Sequence, residues 1–153
     1  MKQLHFIRHA KSSWRHDTDD LLRPLNTRGY RDIKCVSQKA ILRDSEPDVI
    51  WVSPAVRAYS TAQGLMTELD INPALMQIVP DLYYGTSYRI ANLLAHSTDT
   101  NIWIVGHNPS LFELIHSLCN GVIDHFPTLA VAHVEWTLNG AKWVGFETPK
   151  EYE

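Results

Sequence analysis

Three short apolar runs in this chain, Leu4–Ile7, Val49–Val52 and Ile102–Val105, each stop at polar residues, and helical spacing follows soon after. Runs this short suit strands buried on both faces better than core helices. Strands separated by helices tend to pair in parallel, because each return to the sheet passes through a crossover helix. The expected architecture is therefore α/β, in three layers, with helices on both faces of a mostly parallel central sheet.

The intervening segments agree with that frame. The polar stretch from His9 to about Thr27 reads as a loop, and Asn26 or Thr27 caps a helix carrying Ile33, Val36, Ala40 and Ile41. Pro47-Asp48 ends it. Ser53-Pro54 opens a second helix running to about Leu69, with Ala55, Ala58, Ala62, Leu65, Met66 and Leu69 on its packed side. Gln77–Val79 reads as a third strand, Pro80–Gly85 as a loop, and Ser87–His96 as a helix. Gly106-His107-Asn108-Pro109 leads from the central strand into a helix over Ser110–Cys119. The last third changes character. Ala132–Leu138 and Lys142–Glu147 alternate like an antiparallel hairpin turning at Asn139-Gly140.

At 153 residues, without repeats or Gly/Ser linkers, residues 1–153 are expected to form one domain. A net charge of −3 argues against a broad nucleic-acid footprint, although arginines can still cluster locally. Cys35 and Cys119 lie far apart with no zinc-type spacing and read as small buried hydrophobes in a reducing compartment. The apolar run at the N-terminus is too short for a signal peptide or a membrane span, and no other segment approaches twenty apolar residues. A cytoplasmic protein without membrane association is expected.

Ligands of such sheets bind beyond the carboxyl ends of the strands. Three strand ends here carry Arg8-His9, Ser53 with Arg57, and His107-Asn108, which should converge on one edge. Two arginines and two histidines together suit a phosphoryl group. Each guanidinium offers a permanently charged planar fork to phosphate oxygens, and both can stabilise transition-state charge. A neutral imidazole is a competent nucleophile near neutral pH. Helix N-termini after Ser53 and Asn108 add N–H donors. With no carboxylate cluster of metal-ligand type in the sequence, arginine charge is expected to stand in for a metal, and no cofactor is expected.

The ordered set of motifs resembles the histidine phosphatase superfamily, whose fold is that of cofactor-dependent phosphoglycerate mutases, and within it the SixA-type phosphohistidine phosphatases. The resemblance rests on Arg8-His9-Ala10-Lys11-Ser12-Ser13-Trp14, on Arg23-Pro24-Leu25-Asn26-Thr27-Arg28-Gly29, on Ser53-Pro54-Ala55-x-Arg57-Ala58-x-x-Thr61-Ala62 and on Gly106-His107-Asn108-Pro109. It implies that His9 is the nucleophile, Arg8 and Arg57 are phosphate clamps, and His107 binds the phosphoryl group. Ser12, Ser13 and Asn108 are the implied substrate-binding residues.

The chain departs from the wider superfamily in two ways. The slot usually holding a carboxylate acid contains Pro80-Asp81-Leu82-Tyr83-Tyr84-Gly85, with Asp81 the nearest candidate. There is also no room for the large helical insertion that roofs other members. Both departures favour an open site and a good leaving group such as the imidazole of phosphohistidine, whereas an alkyl ester needs a proton. The expected substrate is a phosphorylated protein, such as a histidine phosphotransfer domain of a signalling relay. A small phosphate ester, or phosphoprotein binding without turnover, are the alternatives. Arg23 and Arg28 either rim the pocket or pair with aspartates, and Trp14 is placed to line the entrance. His5, His16, His96, His116, His125 and His133 show no metal-like pairing.

Overall fold

The computed structural model describes residues 1–15 and 17–149, which leaves His16 outside the described residues. The strands are β1 (Lys2–Arg8), β2 (Val49–Val52), β3 (Met76–Ile78), β4 (Asn101–Gly106), β5 (Val131–Thr137) and β6 (Gly140–Glu147). They form one sheet in the order β3-β2-β4-β1-β5-β6. The first four pair in parallel, and β5 and β6 join antiparallel beside β1. The helices are α1 (Thr27–Ser37), α2 (Ala40–Arg43), α3 (Val56–Glu68), α4 (Asp81–Tyr84), α5 (Ser87–His96) and α6 (Ser110–Cys119). The result is a mixed six-stranded sheet with helices packed on both faces, the three-layer α/β architecture anticipated above.

Alternation along the strands divides the core in two. Ile7, Ile50, Val52, Trp103, Val105 and Val131 point to one face, where they pack on Ile33 and Val36 of α1 and Ala58, Ala62, Leu65 and Met66 of α3. Leu4, Phe6, Trp51, Ile102, Ile104 and Val134 point to the other, under Leu82, Ile90, Leu94, Leu111, Leu114 and Ile115. The central strands β1, β2 and β4 are covered on both sides and are accordingly near-continuously apolar.

Several local expectations are corrected. The helix expected through Ile41 is two, because the chain leaves α1 at Gln38 and Lys39 adopts an extended conformation before α2. Pro80–Gly85 is not a plain loop: Asp81–Tyr84 forms the short helix α4, which buries Leu82. Pro54 precedes α3 rather than opening it, with Ala55 at the cap. In the hairpin, Thr137 pairs with Gly140, so the turn is Leu138-Asn139. Gly140, at φ 121°, occupies the conformation that only glycine adopts readily. Both cysteines are half-buried rather than fully buried, and neither forms a disulfide.

Candidate active site

Adjacent strands β2, β4 and β1 run in parallel, so their carboxyl ends lie side by side at one edge. That register delivers the polar clusters to a single place. His9 leaves β1 with its N–H donating to Gly106 O (3.0 Å) at the end of β4, and its own carbonyl accepts from Leu129 N (3.1 Å). His107 leaves β4, and the two imidazole centroids are 5.2 Å apart. Arg57 lies in the first turn of α3 after the end of β2. Thr61, one turn further along α3, ties two of these segments together. Its Oγ1 accepts from Ala10 N (2.9 Å) and donates to the Arg57 carbonyl (2.7 Å).

The hydrogen bonds assign the ring protons. His9 Nδ1 lies 2.7 Å from the Ala10 carbonyl, which only accepts, so Nδ1 carries the hydrogen and Nε2 keeps its lone pair. His107 Nε2 lies 2.7 Å from Ser53 Oγ, which also accepts from Ala55 N (3.1 Å). We assign the Ser53 hydroxyl as donor to Nε2, which puts the His107 proton on Nδ1. Both rings are buried. Burial, aided by neighbouring cationic groups, pushes His9 down to about 3 and His107 down to about 4 from an ordinary value of 6.5. Both rings are therefore neutral at physiological pH.

The arginines share a pattern. Arg8 donates through Nη1 to Phe126 O (3.2 Å). Arg57 donates through Nη1 to Asp20 O (2.7 Å) and through Nη2 to Asp20 Oδ2 (2.9 Å). In each, as in Arg23, the Nε–H is buried without a partner among the described residues, and the same holds for His107 Nδ1. Buried donors seldom stay unpaired, since each loses its hydration with no return. Arg8 Nε, Arg57 Nε and His107 Nδ1 thus form a set of unmatched donors belonging to the residues around His9. Such a set suits an anion with several oxygens.

The remaining expected residues divide. Ser12 Oγ accepts from Arg23 Nη1, and Ser13 Oγ accepts from Arg15 N (3.2 Å), so both hydroxyls are engaged locally. Asn108 Nδ2 donates to Phe126 O (2.8 Å), the carbonyl that also anchors Arg8. Asp81 pairs with Arg89 Nε (3.2 Å), and none of its contacts reaches His9 or His107. Arg28 pairs with Asp32 on its own helix (3.6 Å), as the solvated alternative anticipated. Arg23 is buried, with its guanidinium 3.8 Å from the Trp14 ring centre.

Sequence reasoning did not single out Asp20, on a 3-10 turn at Asp20–Leu22, or Tyr83. The Tyr83 ring stands edge-on to His107 at 5.5 Å and its hydroxyl donates to Asp20 Oδ2 (2.7 Å). Asp20 Oδ1 accepts from Arg23 Nη2 (3.2 Å). The Tyr83 hydroxyl first, then Arg57 and Arg23, hold the Asp20 carboxyl well below the usual carboxylate range. The only signal in the sequence was the proximity of Asp20 to Arg23, in a stretch containing several aspartates.

Among the described residues, no group of three or more His, Cys, Asp or Glu is placed to hold a metal ion, and no helix is long and apolar enough to cross a membrane.

Comparison with known proteins agrees with this geometry. An uncharacterized protein of Picosynechococcus sp. (strain PCC 7002) is 29% identical over 152 residues, covering 97% of this chain and 92% of the relative. Among solved structures, the protein histidine phosphatase SixA complexed with tungstate superposes with a TM-score of 0.85 at 23% identity, covering 99% of each chain. The SixA protein of Agrobacterium tumefaciens gives 0.84 at 24% identity, over 97% of this chain and 98% of the other. A phosphoserine phosphatase of Entamoeba histolytica gives 0.68 at 16% identity, with 97% and 98% covered. At these identities the structural likenesses establish the fold. Residues 4–88 match the model of the histidine phosphatase superfamily (branch 1), and the chain belongs to that superfamily.

Proposed function

We propose that this protein is a metal-independent phosphohistidine phosphatase acting on a phosphorylated protein through a covalent intermediate on His9. The observation that carries the reading is the pair of unmatched buried donors Arg8 Nε and Arg57 Nε, with His107 Nδ1 unmatched beside them, next to a histidine whose Nε2 keeps its lone pair. His9 Nε2 attacks phosphorus, forming the new P–N bond as that of the substrate breaks, and the departing imidazole takes its proton from water at the open site. Arg8, Arg57 and His107 hold the phosphoryl oxygens as charge redistributes. Water then attacks the phosphoryl group on His9, releasing inorganic phosphate and the free imidazole. Ser12 and Ser13 follow His9 on the same loop and Asn108 follows His107, and the same reading gives them contacts to the bound substrate.

The carboxylates near the site support the choice of substrate. An alkyl ester needs a proton for its departing oxygen. Asp20 is held ionised by Tyr83, Arg57 and Arg23, and Asp81 is engaged by Arg89, so neither is set up as the donor. A phosphoramidate leaving group is less demanding. The helices α4 and α5, between β3 and β4, are short, in keeping with a site open to a protein surface such as a histidine phosphotransfer domain. A role in cytoplasmic signal transduction, by a single domain spanning residues 1–153, follows from that reading.

The test is hydrolysis of a phosphohistidine protein in the presence of a chelator. We expect turnover in the wild type, loss of at least about a thousandfold in His9→Ala, and a phosphorylated His9 in rapidly quenched samples. Activity retained in His9→Ala would sink the mechanism. Phosphoprotein binding with no phosphate release would favour a recognition module instead. Faster turnover of alkyl phosphates than of phosphohistidine would favour the small-ester reading.

A further inference from the structure

We propose that Asp20 is a positioning residue that sets the phosphate-binding edge of Arg57. The inference rests on the reading of Arg57 as a phosphoryl clamp. A long arginine side chain has several rotatable bonds, and holding its fork in one orientation has an entropic cost. Arg8 is fixed by a backbone acceptor, Phe126 O at 3.2 Å. Arg57 has a counterpart in Asp20, which supplies both its backbone carbonyl, at 2.7 Å, and its carboxylate, at 2.9 Å. Both guanidiniums are thus gripped at Nη, and both, like Arg23, keep a buried Nε–H without a partner among the described residues. The parallel suggests a common design: the far end is clamped and the near edge is left for the oxyanion.

Asp20 is itself held from two further sides. Its Oδ2 receives the Tyr83 hydroxyl as well as Arg57, and its Oδ1 receives Arg23. Arg23 is in turn fixed by Ser12 and lies over Trp14. The loop after β1, the first turn of α3 and the short helix α4 therefore meet at one carboxylate. That carboxylate also offsets one of the positive charges that Arg8, Arg23 and Arg57 bring to the site. Like cations close together otherwise repel one another.

The experiment measures the affinity of the full chain for inorganic phosphate by calorimetry, a readout independent of any turnover. Asp20→Ala should weaken phosphate binding about tenfold or more, with Asp20→Asn, which keeps the shape but not the charge, lying between. The same substitution should cost little further in an Arg57→Ala background, while its full effect should persist in an Arg8→Ala background. Tighter phosphate binding in Asp20→Ala would overturn the proposal, since the carboxylate would then be a competitor for Arg57. An equal loss in the Arg57→Ala background would overturn it too, by showing that Asp20 acts on the fold at large. Should Asp20→Ala fail to fold, Asp20→Asn carries the test: unchanged or tighter phosphate binding there would refute the role. If His9 never forms a phosphoryl intermediate, the proposed function fails, yet the coupling between Asp20 and Arg57 is still read from phosphate binding.

Discussion

His9 combines a buried position with a ring nitrogen, Nε2, that keeps its lone pair. Burial pushes its ring down to about 3, so the neutral form persists far below the ordinary imidazole value of 6.5. The Ala10 carbonyl at 2.7 Å then selects the tautomer with the lone pair on Nε2. In the free protein, nitrogen NMR should find the His9 ring neutral and protonated at Nδ1 at pH 5. A ring titrating near 6.5 would contradict both the burial and the assigned roles. His9, Arg8, Arg57 and His107 were readable from sequence because each ends a strand, directly follows one, or lies in the first turn of the helix after one. Asp20 was not, since its partners Arg57 and Tyr83 are 37 and 63 positions away along the chain.

Helix α1 shows how an element positions the site from a distance. Asn26 caps it by accepting from Gly29 N (2.8 Å), and Asn26 N donates to Lys11 O (3.0 Å) in the loop after His9. Gly29 allows that loop to lie directly on the helix: a Cβ there would meet Lys11 O at 2.3 Å. Glycine inside a helix ordinarily costs about 1 kcal/mol relative to alanine, so propensity alone predicts that Gly29→Ala stabilises. The contact predicts the opposite. Backbone displaced by overpacking costs about 1–3 kcal/mol, and the variant should show a lower denaturation midpoint together with impaired catalysis at His9. A more stable variant would mean that the loop yields freely. The sequence offered the cap residue and the helix but not this contact, because propensity describes a helix without its neighbours.

Across the whole molecule, burial of neutral histidines couples stability to pH. His5, at about 3, and His107, at about 4, join His9 in having folded values below the 6.5 of an exposed ring. The unfolded chain takes up protons at these sites below about pH 6.5, while the folded chain does not. Their contribution to stability is complete above that pH and is lost as pH falls toward the folded values. Urea midpoints should therefore decline between about pH 6.5 and pH 4, and the decline should be shallower in His9→Ala, which removes one of the groups. A midpoint unchanged over that interval would show that the rings are not held neutral by the fold.

Periodicity, strand-end polarity and ordered motifs were enough to indicate an α/β sheet, its parallel core, its C-terminal hairpin and the polar residues that gather at the carboxyl ends of its strands. These are properties of short stretches, set by side-chain alternation and by where apolar runs stop. The tertiary structure alone decided which polar groups remain unmatched, which ring nitrogen of His9 carries its proton, and which hydrogen bonds join Asp20, Tyr83, Arg23 and Thr61 to the residues around it. It also placed the turn at Leu138-Asn139 and engaged Asp81 with Arg89. The physical reason is that hydrogen bonding and desolvation depend on distances of a few ångströms between segments remote in sequence, and those distances exist only once the sheet has brought the segments together.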